Sequence, residues 1–200
     1  MDTDEYGHMS RHEMILKTEQ SMDLLDLNLA FLDRCISSPV PHEIRRPPPC
    51  GLKKLDARAI KRLAGGPFAL FRVDFSDRLA SAEPSSIYRE CGIRDGSALV
   101  LLAATFCRSL AGCGRETSSL VLGIGDAERQ KLLACSISLL RAQERQGKLR
   151  LHANFLWSPL YWHGLVRAAR QPGEFVLEST RLQGMQLLAA AAGGLHTTRR

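Results

Sequence analysis

The six cysteines (35, 50, 91, 107, 113 and 135) form no CxxC or CxxH spacing, so the ligand pattern of a zinc ribbon or finger is missing. Several of them sit in apolar helical runs, which favours buried, reduced thiols over a metal or redox role. His42, His152, His163 and His196 are too scattered in sequence to make a helical metal pair. The segment Gly123-Ile124-Gly125-Asp126 lacks the third glycine of a phosphate-binding loop and follows no βαβ-type strand. No serine or cysteine occupies a nucleophile elbow. A non-enzymatic chain is therefore expected, with no catalytic group, cofactor or metal of its own. No run approaches the 18 apolar residues of a membrane span. The N-terminus, MDTDEYGHMSRHE, is polar and acidic where a signal peptide is basic and then apolar. These two absences point to a cytoplasmic protein.

The chain does have enough apolar material for a core, with 44% hydrophobic and 24% charged residues over 200 positions. That length fits one compact domain or two small ones. The formal charge of +6 conceals an asymmetry. Asp2, Asp4, Glu5, Glu13, Glu19, Asp23 and Asp26 make the first 26 residues acidic, whereas Arg45–Arg72 and Arg141–Arg170 are rich in arginine and lysine. Such clusters suit a polyanion, whose condensed counterions they release, or else form a solvated helix face.

The central feature is a pattern used twice. A shift of 80 residues lays LDARAIKRLAGGPFALFRVDF (Leu55–Phe75) on CSISLLRAQERQGKLRLHANF (Cys135–Phe155). Asp56 meets Ser136 as a candidate helix cap, Ile60 meets Leu140, and Phe75 meets Phe155. Each copy reads as cap, helical run, break (Gly65-Gly66-Pro67 or Gly147) and extended tail. Phe71, Val73 and Phe75 alternate with Arg72 and Asp74, the period of a half-buried strand. A repeat of this kind is one supersecondary unit used twice. Ile60, Phe71 and Phe75 with Leu140, Leu151 and Phe155 are the residues expected to pair the two copies.

Around the copies, the spacing predicts a helix from His12 to Ser37 with Ile15, Met22, Leu25, Leu29 and Leu32 on one stripe. Ser37-Ser38-Pro39 ends it. Residues 39–51 hold the triple proline, which favours a stiff extended connector over a ligand for another domain. Ser76–Ser86 is the best candidate boundary. A second long helix is expected from Ser86 to Leu110, stepping at Gly92 and Gly96 and apolar nearly all round beyond Ala98. A loop over Gly112–Ser119 then leads to a helix that Asp126 can cap. Pro159 opens the helix LYWHGLVRAAR, Pro172-Gly173 stops it, and Glu174–Ala192 is a last helix with Phe175, Leu182, Met185 and Leu188 on its apolar face. Residues 1–11 and 193–200 are expected to be disordered. Phe155, Trp157, Tyr161 and Trp162 cluster at a turn opening a helix, which favours core or partner packing over base stacking.

The runs LDLNLAFL (Leu25–Leu32), LDARAIKRLAGGPFALFRVDF, LVLGI (Leu120–Ile124) and DAERQKLLACSISLLRAQ resemble the flagellar transcriptional regulator FlhD family. The resemblance covers most of residues 22–190 in two passes and is strongest at Leu55–Phe75 and Leu120–Phe155. Members of that family are small all-helical proteins that dimerise and join a zinc-binding partner, FlhC. The complex activates flagellar promoters, and similar pairs control transfer genes on some conjugative elements. Family members usually have one unit of about half this length. The resemblance therefore implies an all-α fold with two FlhD-like units in tandem, 12–80 and 86–192, forming an intramolecular pseudo-dimer with short extended segments after each repeat helix.

The same resemblance implies a transcriptional regulator acting with an FlhC-like zinc-binding protein, in contact with DNA through the complex and open to further self-association. Arg58, Lys61, Arg62, Arg141 and Arg145 would lie along phosphates, and Trp157, Tyr161 and Trp162 would face the partner. Three departures weaken DNA contact by this chain alone. Leu120 and Val121 replace an aromatic and an arginine before Leu-Gly-Ile. Phe71 and Leu151 stand where some members carry an inter-subunit cysteine, and the proline-rich stretch replaces the Leu-Gly-Ile segment of the first unit. The alternative is a helical interaction protein that binds no DNA and sequesters or modulates an FlhD/FlhC-type complex.

Overall fold

The computed structural model of the chain describes residues 16–37, 44–49, 51–75 and 97–194. It is mostly helical, with one small three-stranded sheet. Helix α1 (Thr18–Ser37) leads to strand β1 (Ile44–Arg46), a single 3-10 turn, helix α2 (Ala57–Ala64) and strand β2 (Phe71–Phe75). Helix α3 (Ser97–Cys113), the short α4 (Arg115–Thr117) and a π-turn over Ser118–Leu122 lead to α5 (Asp126–Ala134) and α6 (Ile137–Arg145). Strand β3 (Leu149–Ala153), α7 (Pro159–Arg170) and α8 (Glu174–Ala192) complete the described chain. Among the described residues no helix is long and apolar enough to cross a membrane.

The two repeat copies fold locally as their sequences dictate. Asp56 accepts the Ala59 amide at 2.7 Å at the start of α2, and Ser136 accepts the Leu139 amide at 3.1 Å at the start of α6. Both pairs of positions are 80 residues apart. Each cap satisfies a first-turn amide that has no partner within its helix. Gly147, at φ +63°, turns the chain from α6 into β3, and the bend over Gly66–Phe68 does the same after α2.

The extended tails then pair with each other. Strand β3 is central, antiparallel to β2 and parallel to β1. Phe71 faces Ala153, Arg72 faces His152, Val73 faces Leu151, and Phe75 faces Leu149. Within this register the pair Arg72 and His152 joins positions that are themselves one repeat length apart. Alternation sends Phe71, Val73, Leu149, Leu151 and Ala153 inward against α3 and α1, where Phe31 stands 6.0 Å from the Phe71 ring. The chain is mostly helical as expected, the extended segments after α2 and α6 pair as strands, and β1 lies inside the segment read only as a connector.

Two buried asparagines hold the crossing between α2 and β2. Asn28 donates to the carbonyls of Ala64 and Phe68, both at 3.0 Å, and accepts the Leu70 amide at 2.8 Å. Asn154 donates to the Ala69 carbonyl at 3.1 Å, while its own amide reaches the Leu70 carbonyl at 2.8 Å. The Ala69 amide finds Val121 O at 2.9 Å. Phe68–Leu70 has no exposure to water, so these partners satisfy polar groups that burial would otherwise leave unpaired.

Several expectations about faces and ends are corrected. On α1 the buried side chains are Leu24, Leu27, Asn28, Phe31 and Leu32, while Met22 is exposed and Leu25 and Leu29 are half-buried. The stripe is rotated because Asn28 and Phe31 face the core; Ile15 lies outside the described residues. On α8 the buried set is Leu177, Arg181, Gly184, Met185 and Leu188, with Leu182 exposed and Phe175 85% exposed. Gly184 sits where α7 crosses, and a Cβ there would fall on the Tyr161 hydroxyl and lie 2.9 Å from the Phe68 ring. The expected loop over Gly112–Ser119 is mainly helical. Gly125, not Asp126, caps α5, and its amide donates to Glu128 Oε2 at 3.4 Å. The boundary at Ser76–Ser86, the start of the second long helix, and residues 1–11 and 195–200 lie outside the described residues.

Candidate nucleic-acid interface

The five cations expected along phosphates divide in the structure. Arg58 and Lys61 are exposed on α2, and Arg141 and Arg145 are exposed on α6. Arg62 is not available: its guanidinium donates to Ala169 O at 3.2 Å, to Gly173 O at 2.8 Å and to Gln171 O, and it pairs with Glu174 at 3.1 Å. It thus satisfies the carbonyls at the end of α7 and in the turn into α8. Arg181, nearly buried on α8, reciprocates by donating to Arg62 O at 2.6 Å at the end of α2. Helix α2 packs mainly on α1 and α7, whereas α6 packs on α3 and β3, so the two basic helices sit in different neighbourhoods.

The aromatic cluster divides too. Trp162 is fully buried and donates its indole N–H to Asn154 O at 2.6 Å. Tyr161 is buried, with its hydroxyl donating to Thr180 O at 3.2 Å and its pKa raised by desolvation. Only Trp157 of the three expected partner contacts reaches the surface, at 39% exposure, because the other two fill the core between α7, α8 and β3. Phe155, at φ 58°, packs its ring 5.3 Å from Phe68 and 4.5 Å from Tyr161. That left-handed conformation is uncommon outside glycine and is held here by full burial.

Of the residues expected to pair the copies, Phe71 and Leu151 lie on adjacent strands of one sheet, and Phe75 lies opposite Leu149. Leu140 is fully buried, while Ile60 is half-buried against the same core.

The sequence reading missed the outward face of the sheet. Arg72 and Asp74 on β2, Arg150 and His152 on β3, and Arg45 and Arg46 on β1 share it. The β1–β3 register shifts between Ile44 and Arg46, so that two consecutive arginines are exposed where strict alternation would bury one. Across the strands, Arg46 and Arg72 both lie opposite His152. Burial lowers the His152 pKa first, and Arg72 and the β1 arginines lower it further against the opposing pull of Asp74. Arg45 pairs with Asp74 at 3.2 Å, and Arg72 pairs with Glu128 on α5. The signal for this face was the alternation in LFRVDF and LRLHA; the pairing that joins them was not in either segment.

Among the described cysteines, burial pushes the Cys35 and Cys107 thiols up to about 12, and Cys113 is exposed. Cys50 and Cys91 lie outside the described residues. No cluster of three metal-ligating side chains occurs among the described residues. No protein-family model, curated protein or solved structure matches the chain.

Proposed function

We propose that this chain is a cytoplasmic transcriptional regulator resembling FlhD, acting with an FlhC-like zinc-binding partner on promoters of flagellar or conjugative-transfer genes. In this reading it is a covalent pseudo-dimer of two FlhD-like units. The observation that carries it is the strand register: the tails of the two sequence copies pair antiparallel about Arg72 and His152, residues one repeat apart. A two-fold relation between tandem copies requires an axis of that kind, since it pairs Arg72 with its own equivalent, His152, and Phe71 and Val73 each with the equivalent of the other. The caps at Asp56 and Ser136 add a second correspondence of the same length. Arg58, Lys61, Arg141 and Arg145 would meet phosphates while the partner reads bases, and Trp157 would face the partner.

Co-purification with an FlhC-type protein, followed by promoter mobility shifts at several salt concentrations, tests the proposal. Capture of the partner with a salt-dependent shift is the expected outcome. No capture and no shift would sink it.

One observation favours the alternative, a modulator that binds no DNA. Val121, at the position where the family resemblance implies an arginine, is fully buried in the π-turn. That reading expects partner binding which lowers promoter occupancy. Promoter activation in a reporter carrying only this chain and its partner would rule it out.

A further inference from the structure

The outer face of the sheet carries four arginines and a histidine against two carboxylates, Asp74 and Glu128. Like charges directly opposite one another on neighbouring strands are destabilising. Arg46 and Arg72 both lie opposite His152 and, with burial, disfavour its protonated form, and the register shift in β1 adds Arg45 to the same face. Arg46 has no ion pair among the described residues. A solvated face without a ligand gains nothing from collecting cations in this way, whereas a polyanion would relieve the repulsion and release its own counterions.

We infer that this sheet face is a binding site for the sugar-phosphate backbone of duplex DNA, belonging to this chain alone and separate from the exposed cations of α2 and α6. The inference goes beyond the regulator reading, since it needs no partner protein. Two features select the double helix over a single strand. Single-strand binders interleave aromatic platforms with their cations, and the described outward positions hold only Arg, Asp and His, the aromatic Phe71 facing the core. The row of three strands also spans about 10 Å at ordinary strand spacing, close to the roughly 12 Å width of the major groove, so long arginine side chains at its two ends reach phosphates on both sides.

The test uses the purified full chain without partner and a short fluorescent duplex DNA of mixed sequence, followed by anisotropy over a range of salt. The double variant Arg46→Ala/Arg150→Ala changes two exposed side chains, and circular dichroism checks that it remains folded. Its expected effect is an affinity loss of about tenfold or more, with a log–log salt slope shallower by about 2. The control variant Lys17→Ala/Arg115→Ala, which removes two exposed cations outside the sheet face and outside the cations of α2 and α6, should bind as the parent does. If the double variant misfolds, Arg46→Gln alone should still lower the slope by about 1. The inference is overturned if the chain alone does not bind duplex DNA, if the sheet variant binds normally, or if the control variant loses as much. Tighter binding to single-stranded DNA or duplex RNA also overturns it. Duplex binding by the chain without any partner capture would sink the regulator reading and leave this one standing.

Discussion

The segments α1–β2 and α3–β3 run through the same order of long helix, capped short helix and strand, yet they are fastened differently. On α1, Asn28 binds the end of α2 and the connector that follows it through three buried hydrogen bonds. One repeat later on α3, Arg108 donates to Cys135 O at 2.6 Å, just ahead of α6. Helix α2 is clamped between α1 and α7 with Arg62 and Arg181 sealing its end, whereas α6 leaves Arg141 and Arg145 in water. An order of elements written twice can therefore be secured by unrelated side chains, because backbone groups require a partner without specifying which one.

The sharpest way to break the correspondence is to place a charge at equivalent positions of α2 and α6. Leu140→Asp should be unfolded or lose about 3–5 kcal/mol, since it buries a carboxylate with no counter-charge. Ile60→Asp should cost clearly less because Ile60 is half-buried and its carboxylate keeps contact with water. Urea denaturation measures both, and equal losses would contradict the packing difference. Next in size is the contrast between fasteners. Asn28→Leu leaves two carbonyls and an amide unpaired in the core and should cost about 3 kcal/mol. Arg108→Leu loses a single part-buried bond and should cost about 1 kcal/mol.

The caps should behave alike. Asp56→Ala and Ser136→Ala are each expected to lose about 1 kcal/mol, and Asp56→Asn should restore most of its loss. A cap that proves silent in one copy alone would mark that helix as held by tertiary contacts only.

The smallest effect concerns the sheet where the copies meet. The His152 pKa is depressed below its usual 6.5, so the unfolded chain takes up a proton before the folded one does. Stability should be full above pH 6.5 and fall as the pH drops from there through the lower folded value. His152→Gln should flatten that slope in thermal melts recorded across the range. A slope that survives the substitution would place the titrating group elsewhere.

Local chemistry was legible where a short range decides it. The caps at Asp56 and Ser136, the turn at Gly147, the alternation in β2, and the starts of α7 and α8 follow from neighbours within about four residues. Faces were less legible. The apolar stripe drawn through Met22 on α1 missed Asn28, since an asparagine reads as a surface residue until three distant backbone groups are brought to it. Phe175 was placed inward by its hydrophobicity, although α8 turns Leu177, Arg181 and Gly184 toward α2 and α7. Arg62 reads as a phosphate contact by type and as a seal for α7 by position.

By itself the sequence determined the mostly helical character, the caps and breaks of the two copies, and the two alternating tails, because each depends on backbone propensity and side chains a turn or two away. Tertiary structure alone decided that the tails join in one sheet with β1 on the free edge of β3, and that six polar residues far apart in the chain share its outer face. Strand pairing is a contact between segments some 80 residues apart. Its register is set by which side chains the long helices can bury, and no local pattern encodes that choice.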